Sequence, residues 1–126
     1  MKSLPLIIAL VLAPLASLPA VLVTSSLAAT TVSDLGDLTP LRAIVQDTVD
    51  LVGKGDLAGA VTRITDWETA WDTAQPTLRP KNKKEWRVVD DASDAALAAL
   101  RAAPQDLGAI KSSLTALLAA LDNPGQ

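Results

Sequence analysis

Acids, bases and tryptophans are the side chains that could carry chemistry here, because the sequence has no histidine and no cysteine. A Ser-His-Asp or Cys-His nucleophile therefore cannot be assembled, and zinc and haem lack their usual ligands. The glycines also lack the spacing of a phosphate-binding loop. We therefore predict that the protein is not an enzyme, holds no cofactor and has no metal centre.

The stretch DWETAWD, residues 66–72, holds two of the three tryptophans one helical turn apart, flanked by acids. Such a pair could be a platform of stacked indoles for a ligand, or part of a hydrophobic core. Trp67 and Trp71 fall on the apolar seam of a helix, and aromatic residues at seam spacing usually pack inside. We favour a core cluster of Trp67, Trp71 and Trp86 whose N–H groups reach acceptors at the rim. The alternative is a shallow aromatic pocket open at the loop end.

The run RPKNKKEWR, residues 79–87, supplies half of the positive charge that follows the N-terminal segment. Its cations are Arg79, Lys81, Lys83, Lys84 and Arg87. They could contact an anionic partner, such as a phosphate headgroup, a polyanion or an acidic protein face, aided by free N–H groups at a helix start. The favoured interpretation is a solvated turn whose lysines pair with Asp66, Glu68 and Asp72, because exposed charge runs usually serve solvation.

A third group of candidate side chains is the acidic stretch DDASD, residues 90–94. Asp90 and Asp94 are four residues apart and would share one helical face. Two carboxylates hold a hard cation only weakly, whereas a calcium site needs about six or more oxygen ligands. We predict no specific metal site, and weak cation binding stays the least favoured function.

The elements that must position these groups are four helices, near residues 40–52, 56–75, 83–103 and 105–122. Expected caps are Thr39 before Pro40, Asp56, and a capping box of Asn82 with Glu85. Pro76 and Pro80 should end the second helix. Each helix carries an apolar seam with a 3.5-residue period, which predicts an all-α, up-down-up-down four-helix bundle. A three-helix bundle with a loosely attached first helix is the alternative.

The N-terminus has the pattern of an export signal. Lys2 precedes residues 3–33, which carry no charge, and small residues follow the apolar run. We predict a signal peptide over residues 1–28, cleaved before Ala29, a flexible tether over 29–38 and a bundle domain over 39–126. An uncleaved anchor is the alternative, because Leu4 to Val23 is about 20 residues, enough to span a bilayer.

Both alternatives place the bundle outside the cytoplasm: periplasmic or secreted if cleaved, or anchored in the inner membrane. After Lys2, 10 basic residues face 14 acids, a net charge of −4, which argues against a nucleic-acid partner. We expect a protein partner in the cell envelope, with the membrane surface as a second possibility. Without cysteine, no disulfide stabilises the exported domain.

From Leu51 to Ala103 the chain resembles a set of short, uncharacterised exported bacterial helical proteins. The shared features are a Gly-Asp-Leu turn, a Trp-rich second helix, a proline-flanked turn, and then Trp86 in an Ala-Leu helix. Some of those proteins carry an automatic histidine-kinase label. This sequence has neither a phosphoacceptor histidine nor an ATP-binding box, so the resemblance implies at most kinship with an extracytoplasmic sensor module.

These observations together predict a small exported, non-enzymatic helical bundle that acts by binding, as an accessory or sensor-like module. The alternative is a membrane-anchored extracytoplasmic bundle that contacts lipid headgroups or a membrane partner through its basic 79–87 turn.

Overall fold

The computed structural model describes residues 33–125, which form four α-helices and no strand. The helices are α1 (Thr39–Gly53), α2 (Leu57–Leu78), α3 (Lys83–Arg101) and α4 (Leu107–Asp122). The predicted signal peptide or anchor, residues 1–28, and tether residues 29–32 lie outside the described residues. Among the helices of the described part, none is both long enough and apolar enough to cross a membrane.

The four helices form an antiparallel ring. Each helix packs on the next one along the chain, and α4 returns to pack on α1, whereas the diagonal pairs make no comparable contact. Short connections between successive helices impose this antiparallel order. The predicted up-down-up-down bundle is confirmed. The three-helix alternative is wrong, because α1 packs on both α2 and α4.

Acidic caps set the start of α2, as predicted at Asp56, and the start of α4. The Asp56 carboxylate accepts a hydrogen bond from the Gly59 N–H at 2.8 Å, and the Asp106 carboxylate accepts one from the Ala109 N–H at 3.1 Å. Each bond satisfies one of the four N–H groups that a helix start leaves without a backbone partner. Helix α1 ends before Gly55, whose φ of +78° is a left-handed conformation that glycine adopts without strain.

The start of α1 differs from the prediction that Thr39 is its N-cap. Leu38 occupies the N-cap position without a side-chain hydrogen bond, and Thr39 is the first helical residue. The carboxylate of Asp37 takes over the cap, since its Oδ1 accepts the Thr39 N–H at 2.9 Å. Pro40 still falls in the first turn, where its missing N–H needs no partner.

Helix α2 is longer than predicted, because it runs through Pro76 to Leu78. A proline removes one backbone hydrogen bond, which a helix interior tolerates poorly. Pro76 lies in the last turn, however, and the Arg79 N–H still bonds the Gln75 carbonyl at 3.0 Å. The turn therefore closes past the proline, and Pro80 follows the helix end.

Helices α3 and α4 are slightly shorter than predicted. Helix α3 ends at Arg101 instead of 103, and Ala102 is already extended, with ψ at 149°. A proline ring disfavours helical φ and ψ angles in the residue before it. Pro104 therefore keeps Ala103 out of the helix, which ends upstream. Helix α4 starts at Leu107 instead of 105, because Asp106 is its cap.

The core is one continuous apolar cluster contributed by all four helices. Its fully buried side chains include Val45 on α1, Ile64 on α2, Val89 on α3 and Leu114 on α4. Among the described residues, two polar side chains are also buried, Thr48 and Ser93. The Thr48 hydroxyl donates to the Ile44 carbonyl at 3.0 Å, which removes the cost of burying it.

Ion pairs join neighbouring helices along the surface of the bundle. They link α1 to α4, α1 to α2 and α2 to α3, through Arg42–Asp122, Arg63–Asp47 and Arg101–Glu68. All six side chains are at least one-third exposed, and such pairs contribute about 0–1 kcal/mol each. Packing of the core therefore dominates the stability of the fold.

Residues 33–38, which we call the strap, pack on the bundle and do not form the flexible tether predicted over 29–38. The side chains of Leu35 and Leu38 are 0% and 6% exposed, so both belong to the core. At the other end of the described chain, Pro124 is also buried. The strap covers the end of the bundle where α1 and α3 begin, because the ring of helices would otherwise leave apolar side chains open to water there.

Candidate functional site

The candidate site is the end of the bundle formed by the turn between α2 and α3, together with the strap. It carries all five cations of the run 79–87, and we call it the basic end. Arg79, Lys81, Lys83, Lys84 and Arg87 are all exposed. Pro80 prevents α2 from continuing, and the chain reverses before α3 begins at Lys83. The local sequence therefore places three lysines in or next to one short turn.

The predicted pairing of these lysines with Asp66, Glu68 and Asp72 is not formed. Asp66 instead binds Arg63 at 3.2 Å on its own helix, and Glu68 binds Arg101 at 2.8 Å across to α3. An i, i+3 arginine is close to Asp66 whatever the helix packing is. Glu68 faces the C-terminal part of the antiparallel α3, so its partner comes from the far end of that helix. Asp72 forms no ion pair within residues 33–125.

None of the five cations of the basic end forms an ion pair with a carboxylate in the described part of the chain. The four ion pairs found there use Arg42, Arg63 and Arg101, which lie outside the run 79–87. The basic end thus exposes a cluster of cations that intramolecular charge pairing does not neutralise.

The N-terminus of α3 is not the open anion site that its sequence suggested. Asn82 caps it, and its Oδ1 accepts hydrogen bonds from the N–H groups of Lys84 and Glu85, both at 3.1 Å. Glu85 does not complete the predicted capping box; its carboxylate instead accepts a hydrogen bond from the Ser33 hydroxyl at 2.9 Å. An anion at this end would therefore be held by lysine and arginine side chains.

The strap is attached to the same turn by two side-chain hydrogen bonds. Besides the bond from Ser33 to Glu85, the Asn82 amide donates to the Asp34 carboxylate at 2.9 Å. A Cβ built on Gly36 would lie 3.5 Å from the Lys81 Nζ, so that ammonium group also lies against the strap. The strap thereby fixes the point at which the preceding chain meets the bundle.

The three tryptophans form one stack beneath the basic end. The ring centroids of Trp71 and Trp86 are 3.8 Å apart with an interplanar angle of 3°, and those of Trp67 and Trp71 are 5.3 Å apart at 17°. The relative exposures of Trp67, Trp71 and Trp86 are 0, 2 and 5%. No indole face is left open to a ligand, and the stack is part of the core.

Two of the indole N–H groups have acceptors on α3. Trp67 donates to the buried Ser93 hydroxyl at 2.6 Å, and Trp71 donates to the Asp90 carboxylate at 3.0 Å. Only the second acceptor is at the rim, where Asp90 is half-buried. Buried indoles usually need such partners, so these bonds fix the axial position of α2 against α3.

The acids of α3 do not assemble a cation site. Asp90 is engaged by Trp71, and within residues 33–125 no three potential metal ligands lie together. Desolvation raises the pKa of Asp94, and the charges of Asp90, Asp91 and Glu68 raise it further. The acidic stretch is therefore a surface that repels its own charge.

A shallow groove of about 250 Å³ lies between the end of α1 and the middle of α4. Val49, Val52 and Leu114 form its apolar part, and Lys111 and Thr115 contribute polar side chains. It contains no carboxylate and no second basic residue. The groove therefore offers no acid–base pair for catalysis.

Sequence reasoning missed three residues of this region: Ser33, Asp34 and Ser93. Ser93 lies on the apolar seam of α3, and a hydroxyl at a seam position is a signal that a buried polar partner faces it. Ser33 and Asp34 lie before the first helical pattern in the sequence. The spacing of three between Leu35 and Leu38 is the one feature there that indicates packing of this segment on the bundle.

No family model matches the chain, and comparison with curated proteins and with solved structures finds no significant match. The resemblance to short exported bacterial proteins stays a prediction, and no residue role comes to this chain from a relative.

Proposed function

We propose that this chain is a small exported, non-enzymatic helical bundle that acts by binding, as an accessory or sensor-like module of the cell envelope. Its contact surface would be the basic end. The observation that carries the proposal is that five exposed cations cluster there without a carboxylate partner in the described part of the chain.

The distribution of charge supports an oriented contact with an anionic partner. The basic end, residues 33–38 and 79–87, holds five cations and three acids, whereas the rest of the segment 33–125 holds five cations and eleven acids. A molecule with a basic end on an acidic body turns that end towards negative charge. The same asymmetry disfavours contact through the sides of the bundle.

The residue types support binding over catalysis. The chain has no histidine and no cysteine, and the groove between α1 and α4 holds one basic side chain and no acid. A cation-binding function has no supporting observation, because Asp90 is already engaged by Trp71. Export is supported by the uncharged residues 3–33 after Lys2, which fit a cleaved signal or an anchor.

The test is a pull-down from the native envelope with three forms of the protein as bait: the wild type, Lys81→Ala/Lys83→Ala, and Lys54→Ala/Lys111→Ala. Both variants remove two exposed lysines and the same charge, but only the first alters the basic end. We expect the wild type and the Lys54/Lys111 variant to retain the same material, released by raising salt to about 0.5 M. The Lys81/Lys83 variant should lose it.

Equal retention by all three forms would contradict the proposal. Loss in the Lys54/Lys111 variant alone would also contradict it, and would move the contact to the groove that Lys111 lines. Circular dichroism of each variant checks that the helical content is unchanged.

A further inference from the structure

We propose that the anionic partner is a lipid surface, and that the bundle meets it end-on, with the basic end towards the headgroups and the helices pointing away. This inference rests on the proposed function, because it assigns a partner to the same basic end. Three observations carry it: the path of the chain, the charge of the end, and the absence of apolar anchors there.

The described chain begins at the basic end. Ser33 and Asp34 are bonded to Glu85 and Asn82 at the start of α3, so the point at which the N-terminal segment joins the bundle lies at this end. Residues 24–32 separate Ser33 from the apolar run Leu4–Val23. Nine residues reach at most about 30 Å, so a membrane that holds that run lies within about 30 Å of Ser33 at the basic end.

Cleavage of the signal would leave the same end basic. Cleavage before Ala29 creates an α-amino group four residues from Ser33, a distance of at most about 14 Å. The new N-terminus adds a positive charge near the five cations already there. Both fates of the N-terminal segment therefore favour contact between the basic end and a negative surface.

The basic end holds three acids, and each keeps its negative charge while it accepts a hydrogen bond from a neutral donor, so, with five cations, the net charge of this end is +2. Asp34 accepts from Asn82, Asp37 accepts from Thr39, and Glu85 accepts from Ser33. The five cations, in contrast, have no carboxylate partner among residues 33–125. Each basic residue at an anionic membrane contributes about a factor of five to the binding constant.

A lipid surface fits this end better than a folded protein partner does. Protein interfaces usually need apolar or aromatic anchors that insert into pockets of the partner. Within residues 33–125, the exposed large apolar side chain is Leu107, which starts α4 at the opposite end of the bundle. The three tryptophans near the basic end are buried in their stack. Charge without an apolar anchor suits a fluid layer of headgroups.

The absence of cysteine allows a clean test with single labels. Thr77→Cys places a label at the basic end of α2, and Ala58→Cys places one at the opposite end of the same helix, about 28 Å away. Both positions are exposed. The protein is expressed as the full chain and purified from the exporting cell, with its N-terminal segment cleaved or retained by that cell. The cysteine is labelled with a fluorophore, and the vesicles carry a quencher attached to lipid headgroups.

The protein is mixed with vesicles of phosphatidylcholine, alone or with about one-third phosphatidylglycerol, at low and high salt. We expect phosphatidylglycerol to increase quenching at Thr77→Cys and not at Ala58→Cys, and high salt to remove the increase. Adding Lys81→Ala/Lys83→Ala should raise the concentration of phosphatidylglycerol vesicles that gives half-maximal quenching about 30-fold, because two basic residues are lost. Lys54→Ala/Lys111→Ala should change this concentration by less than about threefold, because both lysines lie towards the opposite end of the bundle and salt screens charges over about 10 Å.

Equal quenching at both labels would overturn the end-on arrangement. A signal at Thr77→Cys that ignores phosphatidylglycerol and salt would overturn the headgroup contact. No vesicle response, together with a protein captured through Lys81 and Lys83 in the pull-down, would overturn the lipid assignment and leave the proposed function standing. If neither vesicles nor envelope material depends on these lysines, both proposals fail.

Discussion

Ser93 is the residue on which the position of the tryptophan stack depends. It is 2% exposed, and its hydroxyl accepts the N–H of the fully buried Trp67 at 2.6 Å. An indole N–H without an acceptor in the core would lose its hydrogen bond to water and gain nothing in return. The serine therefore satisfies the N–H group of one of the three largest side chains in the core.

Ser93→Ala should lower the free energy of unfolding by about 1–3 kcal/mol, because the Trp67 N–H is left buried without a partner. In a Trp67→Phe background, which has no N–H, the same change should cost less than about 0.5 kcal/mol. Urea denaturation of the four proteins measures both values. Equal costs of Ser93→Ala in the two backgrounds would contradict the role of this bond.

The tryptophans show what sequence can predict at this scale. Spacing placed Trp67, Trp71 and Trp86 together in the core, because a helical period fixes which residues share a face. The acceptors could not be predicted. They depend on how far α2 is shifted along α3, and a shift of one turn would bring a different residue opposite Trp67.

The strap is the element that the sequence least suggested. It has no periodic pattern, and polar residues surround its two leucines. Its structure depends on long-range contacts with the start of α3, which local propensity does not encode.

Helix boundaries show the same limit: Asp37 replaces Thr39 as the cap of α1, and Pro76 is tolerated because it lies in a last turn. The cap at Asp56, which acts within three residues, was predicted, and Asp106 caps α4 in the same way.

Leu35→Ala distinguishes a packed strap from a tether. Leu35 is 0% exposed, so truncation should cost about 2–5 kcal/mol through lost burial and a cavity. The matched control is Leu107→Ala, which removes the same atoms from a side chain that is 46% exposed and should cost about 1 kcal/mol or less. Thermal or urea unfolding reports both. A Leu35→Ala protein as stable as the wild type would show that the strap does not pack on the bundle.

For the whole molecule, the uneven distribution of charge has a cost in stability. The acidic body repels itself at neutral pH. Desolvation is the largest cause that raises the pKa of Asp94, and the charges of Asp90, Asp91 and Glu68 raise it further. The carboxyl group of Asp94 therefore binds its proton more tightly in the folded state than in the unfolded chain. The free energy of unfolding therefore falls as pH rises from the ordinary carboxyl pKa through the raised value.

Asp94→Asn should therefore stabilise the bundle at neutral pH, where the wild-type carboxylate is ionised. The gain should disappear at about pH 3, where the aspartate is protonated in both states. Melting temperatures of the two proteins across this range test the sign. Asp72→Asn, which removes an exposed acid from α2, is the control for net charge alone. An Asp94→Asn protein less stable than the wild type at neutral pH would contradict the assignment.

Ser33 and Gly125 approach the same carboxylate from opposite ends of the described chain. Ser33 donates to one oxygen of Glu85, and a Cβ built on Gly125 would lie 3.4 Å from the other. A linker of a few residues would therefore join the two, and the exposed turn at Lys54 and Gly55 offers a place for new termini. The four helices thus form a closed loop in space, and we expect a circular permutant that begins at this turn to keep the same helix packing.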